Sequence, residues 1–299
     1  MEPANSKIAI VTETLCCMSD RDCEAYGVRM IPLSCQVGSG VTGDRVISSE
    51  QPVPDGDGRS VPPTEEAYRA HFAGLVTAYD GVLCITASRK FSDSNRNAVL
   101  AAAGFGGRVT VIDSGAVAGG LFLLVLRARH LVTLGYPMSR IRAELESYKN
   151  TLKISFTTAS VKVLQNANKL VYKPPVEGEP KDRRPIFRIE NGSIGVTDFT
   201  EDDSPQARAT VTALLSALED RRGGKRALSE PAADEAVDPR RSRRGPSHVV
   251  VHYANRTRAV EYLLHRLKET YPTATVYERS ITLSIQLNLG HDILGVIGD

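Results

Sequence analysis

The residues in this sequence best suited to chemistry are hydroxyls, and they recur where apolar runs end. Thr12 and Thr14 close the run from Lys7, Ser88, Ser92 and Ser94 follow Asp80-Gly-Val-Leu-Cys-Ile-Thr86, and Asp113 with Ser114 follows Arg108-Val-Thr-Val-Ile112. Ser60 stands in the loop before a helix that opens at Thr64-Glu-Glu and can join them. In an open α/β sheet, ligands gather outside the carboxyl ends of the strands. Converging neutral hydroxyls at that position suit a carboxylate or a phosphate held by short hydrogen bonds without strong positive charge. Taken singly, each is equally a turn or helix-capping residue. The set, rather than any member, points to a pocket.

The missing motifs narrow the chemistry. No GxGxxG follows Val11 and no GxxxxGK[ST] occurs, which argues against classical dinucleotide and P-loop nucleotide sites. The serine turns carry no GxSxG elbow, so hydrolase chemistry has little support. The six histidines show no metal-ligand spacing with a carboxylate; His71, His130 and His265 fall inside helices, His248 and His252 flank a strand, and a surface or packing role suits them. Cys16, Cys17, Cys23, Cys35 and Cys84 match no zinc pattern and read as reduced, packing thiols.

The elements that must position these residues alternate. Strands are expected at Lys7–Thr12, Val28–Leu33, Asp80–Thr86 and Arg108–Ile112. Helices are expected at Thr64–Leu75, Asn95–Ala103 and Ala118–Leu134, with Ser139 capping another through Tyr148. Gly38–Pro63 reads as loop because Gly, Ser, Pro and Asp dominate it. This pattern argues for a parallel, Rossmann-like α/β sheet over residues 1–150. Residues 151–299 read as an α+β domain, with strands at Lys153–Thr158, Pro185–Glu190 and His248–His252, and an Asn191-Gly192 hairpin. Helices are expected there at Gln206–Glu219 and Arg256–Thr270, and Ala274–Tyr277 with Ser280–Gln286 closes the chain. Residues 221–247 mix charges, Pro and Gly with little apolar periodicity and read as a disordered excursion.

At 299 residues the chain is long enough for two cores, and 41% hydrophobic with 24% charged residues is ordinary globular composition. A net charge of +2, no Trp and 6% aromatics give no basis for a nucleic-acid partner. The polar start, the lack of a secretory segment and the odd cysteine count lead us to expect a cytoplasmic protein. Gly115–Leu126, the longest apolar stretch, is too short to span a membrane. Any membrane contact would be transient, through the arginines of the excursion.

In this order the pieces resemble the DegV family. Lys7-Ile-Ala-Ile-Val-Thr-Glu-Thr14 resembles its opening strand and Thr-Asp-Ser turn, and Val28–Leu33 its second strand. Ser60-Val-Pro-Pro is similar to its Thr-Ser-Gln-Pro segment, and Ser92-Asp-Ser94 to its Ser-Gly-Thr turn. Val111-Ile-Asp-Ser114, the long helix and Pro185–Gly192 continue the likeness, which runs nearly end to end. The resemblance implies a two-domain, non-catalytic carrier that holds one long-chain fatty acid in a buried tunnel between domains. It implies no cofactor, and a separate fatty acid kinase that receives the carboxylate and makes an acyl-phosphate for phospholipid synthesis. Carried over position by position, the head-group contacts would be Ser60, Ser92 and Ser94, with Thr12 from the first turn, Gln286 for the C-terminal histidine and Lys169 for an arginine.

Several positions depart from the family pattern. Val61 and Asp93 replace a serine and a glycine, and Asp93 would repel a carboxylate if it pointed inward. Gln286 is a neutral amide in place of an imidazole, and Lys169 cannot copy a planar guanidinium fork. Two readings follow: a divergent fatty-acid carrier, or a paralogue that has lost head-group recognition and serves as a regulatory or interaction protein or binds another lipid.

Overall fold

A computed structural model describes residues 7–44, 58–158, 164, 183–201, 208–219 and 245–299. The first strand, β1 (Ile8–Glu13), is buried along its whole length, because helices cover both faces of its sheet. It pairs in parallel with β2 (Val28–Ile31) on one side. On the other lie β6 (Gly81–Thr86) and then β7 (Val109–Asp113), also parallel, giving the order β2-β1-β6-β7. Side chains alternate along a strand. Ala9 and Val11 therefore meet Tyr68 and Phe72 of α2 (Glu65–Leu75) and Ala98 and Ala101 of α3 (Ser94–Ala102). Ile8 and Ile10 face the other way, onto α4 (Gly119–Thr133).

The Gly38–Pro63 expectation is corrected by a small antiparallel sheet. Strands β3 (Ser34–Val37), β4 (Gly40–Gly43) and β5 (Gly58–Val61) pair in the order β4-β3-β5, with Cys35 opposite Ser60. Short Gly- and Ser-rich strands lack the apolar alternation that marks a strand in sequence. Helix α1 (Asp20–Tyr26), opened by a Ser19–Asp22 capping box, also went unanticipated. Ser139 is not the cap of α5 (Met138–Tyr148); Pro137 holds that position.

The second sheet draws all six strands from residues 153–298. Its order is β10 (Ser193–Glu201), β9 (Arg183–Glu190), β8 (Lys153–Thr157), β13 (Leu294–Gly298), β11 (His248–Tyr253) and β12 (Thr275–Ser280). Only β11 and β12 run parallel. One face packs on α6 (Arg208–Glu219) and α7 (Arg258–Thr270) through Val249, Val251 and Leu263. The other face, with Ile154, Phe156, Val250 and Ile297, packs on α4 of the first half. Asn191 (φ 51°) and Gly192 (φ 72°) make the hairpin expected between β9 and β10. The end of the chain is corrected too: residues Leu283–Leu289 form helix α8, followed by β13. Of the proposed 221–247 excursion, residues 221–244 lie outside the described residues, and Gly245–Ser247 lead into β11.

Candidate functional site

Between α4, α8 and the α4-facing side of the six-stranded sheet lies an apolar cavity of about 90 Å³. That is several times the roughly 10–15 Å³ one water needs. Leu15, Val117, Ile154, Ile285, Ile293 and Ile297 supply much of its wall. Ser60, Ser92 and Asn288 are polar members of the lining, and they come from β5, the turn before α3, and α8. Asn288 Nδ2 donates to Ser60 Oγ at 3.2 Å and to the Ser284 carbonyl at 2.7 Å, which fixes the amide beside the hydroxyl.

Ser92 does not stand alone. Its hydroxyl donates to Ser94 Oγ at 3.0 Å while its oxygen accepts the Ser94 N–H at 3.2 Å. Ser94 Oγ donates in turn to Glu13 Oε2 at 2.5 Å, and Glu13 Oε1 takes the Ala87 N–H. Glu13 is fully buried, and burial pushes its pKa up to about 7 against the opposing hydrogen bonds from Ser94 and Ala87. The turn that carries Ser92 is held from the other half of the chain. Lys90 Nζ donates to the Asn191 carbonyl at 3.0 Å and to Ser193 Oγ at 2.7 Å, and Ser88 Oγ donates to the Gly192 carbonyl at 3.4 Å.

His252, unlike Glu13, lines this cavity, and its surroundings differ. It lies on the α4-facing side of β11, 2% exposed, and among the described residues neither ring nitrogen has a hydrogen-bond partner. Burial lowers its pKa to about 3, with the Arg279 charge adding to the effect; the Arg279 backbone opposes it without reaching hydrogen-bond geometry. A Cβ on Gly119 would lie 3.0 Å from His252 Nε2, and one on Gly120 would lie 2.7 Å from Ile154 Cδ1. The paired glycines let the start of α4 approach the sheet. Just before them, Ala118 (φ 51°, ψ −125°) occupies the first central position of a turn closed by Gly120 N–H on the Val117 carbonyl, a conformation that favours glycine.

Residues 7–198 match the family model described as an uncharacterised protein of the DegV family. The chain belongs to the DegV family. A DegV domain-containing protein from Deinococcus radiodurans is 30% identical over 193 residues, 62% of this chain and 69% of that protein. A DegV family protein from Thermus thermophilus, described by its fatty acid binding, superposes with a TM-score of 0.79 at 20% identity, covering 97% of this chain and 98% of the other. DegV from Bacillus subtilis, described as a fatty acid binding protein, gives 0.79 at 20% identity over 98% of each chain. At such identities the likeness is one of fold.

Set beside the DegV motifs, the expected site residues separate. Ser60 and Ser92 line the cavity. Ser94 is buried behind Ser92 and outside the lining. Thr12 is buried, and its hydroxyl donates to the Ile85 carbonyl across the sheet at 3.0 Å, so it is not a lining residue either. Gln286 is buried with Oε1 3.3 Å from His291 Nδ1 and does not line the cavity; the α8 amide that does is Asn288. Two residues apart on a helix, the two amides point to different faces. Asp93 is exposed and outside the lining. Lys169 lies outside the described residues. Sequence reasoning missed Asn288, His252 and Glu13; the Thr12-Glu-Thr14 turn held the only signal for the last.

Proposed function

We propose that this DegV protein is a divergent fatty-acid carrier, holding one long-chain acid in the cavity with its carboxylate toward Ser60, Ser92 and Asn288. The observation that supports it most is a mostly apolar wall interrupted by a few oriented polar groups. Each buried methylene contributes roughly 0.8 kcal/mol, so the chain supplies affinity and the hydroxyls supply orientation. Ser94 acts behind Ser92, Thr12 stabilises the sheet end, and Lys169 stays a candidate contact from the carried-over motif. The two domains divide near residue 150, with the acid between them.

The same reading has the carrier present the carboxylate to a separate fatty acid kinase, which supplies the phosphoryl-transfer chemistry. A carboxylate gripped by neutral donors passes its oxygen to a phosphoryl donor more readily than one locked in a bidentate arginine pair. In this reading the chain is a non-catalytic carrier that needs no cofactor of its own. The same reading takes the carrier to be cytoplasmic, with at most transient membrane contact.

Native mass spectrometry of the purified protein, followed by extraction and identification of bound lipid, tests this directly. A stoichiometric fatty acid is the expected result and gives the chain preference. Protein that is empty and refuses added fatty acid overturns the carrier reading in favour of a regulatory paralogue.

A further inference from the structure

The carrier reading leaves one buried group unused, the Glu13 carboxyl at the end of the Ser92–Ser94 chain. Each serine hydroxyl has a single proton to give. In the observed arrangement both protons run inward, Ser92 to Ser94 and Ser94 to Glu13. Ser92 Oγ also accepts the Ser94 N–H, so it offers the cavity a lone pair and no donor. A ligand carboxylate arriving there meets lone pair against lone pair. If Glu13 carries a proton, the chain can reverse: Glu13 donates to Ser94, Ser94 to Ser92, and Ser92 turns its proton toward the ligand.

We infer that Glu13 is a positioning residue which, through Ser94 and Ser92, sets whether the cavity accepts a carboxylate, so that Glu13 and the bound acid together hold one proton. This rests on the carboxylate lying at Ser92. The titratable groups that bear on Glu13 are Asp44 after β4, Tyr68 on α2, Cys16 in the turn after β1 and Cys84 on β6. None of these is a cation that would hold Glu13 ionised. Asp44 opposes ionisation, as burial does, and the switch falls near neutral pH.

The test is a binding titration with hexadecanoate kept below its aggregation limit, from about pH 7 to pH 9, in buffers of differing ionisation enthalpy. The wild type is expected to lose affinity about tenfold per pH unit above Glu13's pKa and to take up one proton per ligand. Glu13→Gln mimics the protonated acid: its amide donates to Ser94 while its oxygen keeps the Ala87 N–H. It is expected to bind with no slope, about a hundredfold more tightly than wild type at pH 9. Ser94→Ala, which cuts the relay, is expected to lose the slope as well. A wild type with flat affinity and no proton uptake overturns the inference, as does a Glu13→Gln variant with the wild-type slope. If neither wild type nor Glu13→Gln binds hexadecanoate at pH 7, the carrier reading falls and takes this inference with it.

Discussion

Glu13 and His252 are both ionisable and both buried near one cavity, His252 in its lining and Glu13 behind Ser92 and Ser94, yet the fold treats them in opposite ways. Glu13 sits at the end of a parallel strand, where the β6–α3 turn supplies a hydroxyl and a backbone N–H. His252 sits within a six-stranded sheet whose backbone groups are committed to the strand ladder, and its ring meets an apolar wall and the start of α4. Burial favours the uncharged form of both. Glu13 reaches the lining only through Ser94 and Ser92, whereas His252 lines the cavity itself with neither ring nitrogen bonded to a described residue.

The largest expected effect separates the two groups by acid titration. His252 has a folded pKa near 3 against an ordinary 6.5, so its contribution is full above the ordinary value and is lost as pH falls toward 3. The loss is on the order of 5 kcal/mol. His252→Leu is expected to abolish that acid sensitivity in urea unfolding measured across this range; an unchanged acid profile would place the imidazole in contact with solvent. Glu13 runs the other way. Its folded pKa of about 7 lies above the ordinary 4.5, so its stabilising share is full below 4.5 and lost as pH rises to 7. That loss is on the order of 3 kcal/mol. In the same assay Glu13→Gln should show no such decline, and a decline equal to wild type would assign it to another carboxyl. The smallest effect concerns the wall beside His252. Ala118→Gly relieves a residue held at positive φ and should raise stability by about 1 kcal/mol, or a few degrees in Tm. A fall in Tm would mean that the lost methyl packing outweighs the strain.

Much of the scaffold was legible because it follows local rules. The buried run of β1, the Thr64 cap of α2 and the Asn191-Gly192 hairpin each announce themselves over a few residues. The site was legible only in part, because it depends on which way side chains face. His248-Val-Val-Val-His252 gives no sign of which alternate set is walled in by α4, so His252 reads as a strand flank. Gln286 and Asn288 differ by half a helical turn, and only the observed helix α8 shows which amide reaches Ser60. Glu13 was hidden by its company: between two threonines it reads as one more polar turn residue. The glycine-rich β3–β5 sheet carries Ser60 into place without any periodic pattern to mark it.

The contact between the Asn191-Gly192 hairpin and the Ser88–Ser94 turn bears on time rather than on affinity. Three hydrogen bonds, two of them from the exposed ammonium of Lys90, fasten the hairpin tip to the segment that carries Ser92. Such bonds are individually modest, about 1 kcal/mol net, and can open without unfolding either sheet. A ligand route that parts the tip from the turn would therefore have a barrier set by these bonds, while the bound acid's free energy is set by the apolar wall behind them. If the chain acts as the proposed carrier, residence time and equilibrium occupancy would then be governed by different residues, and hand-over could become faster without a looser hold.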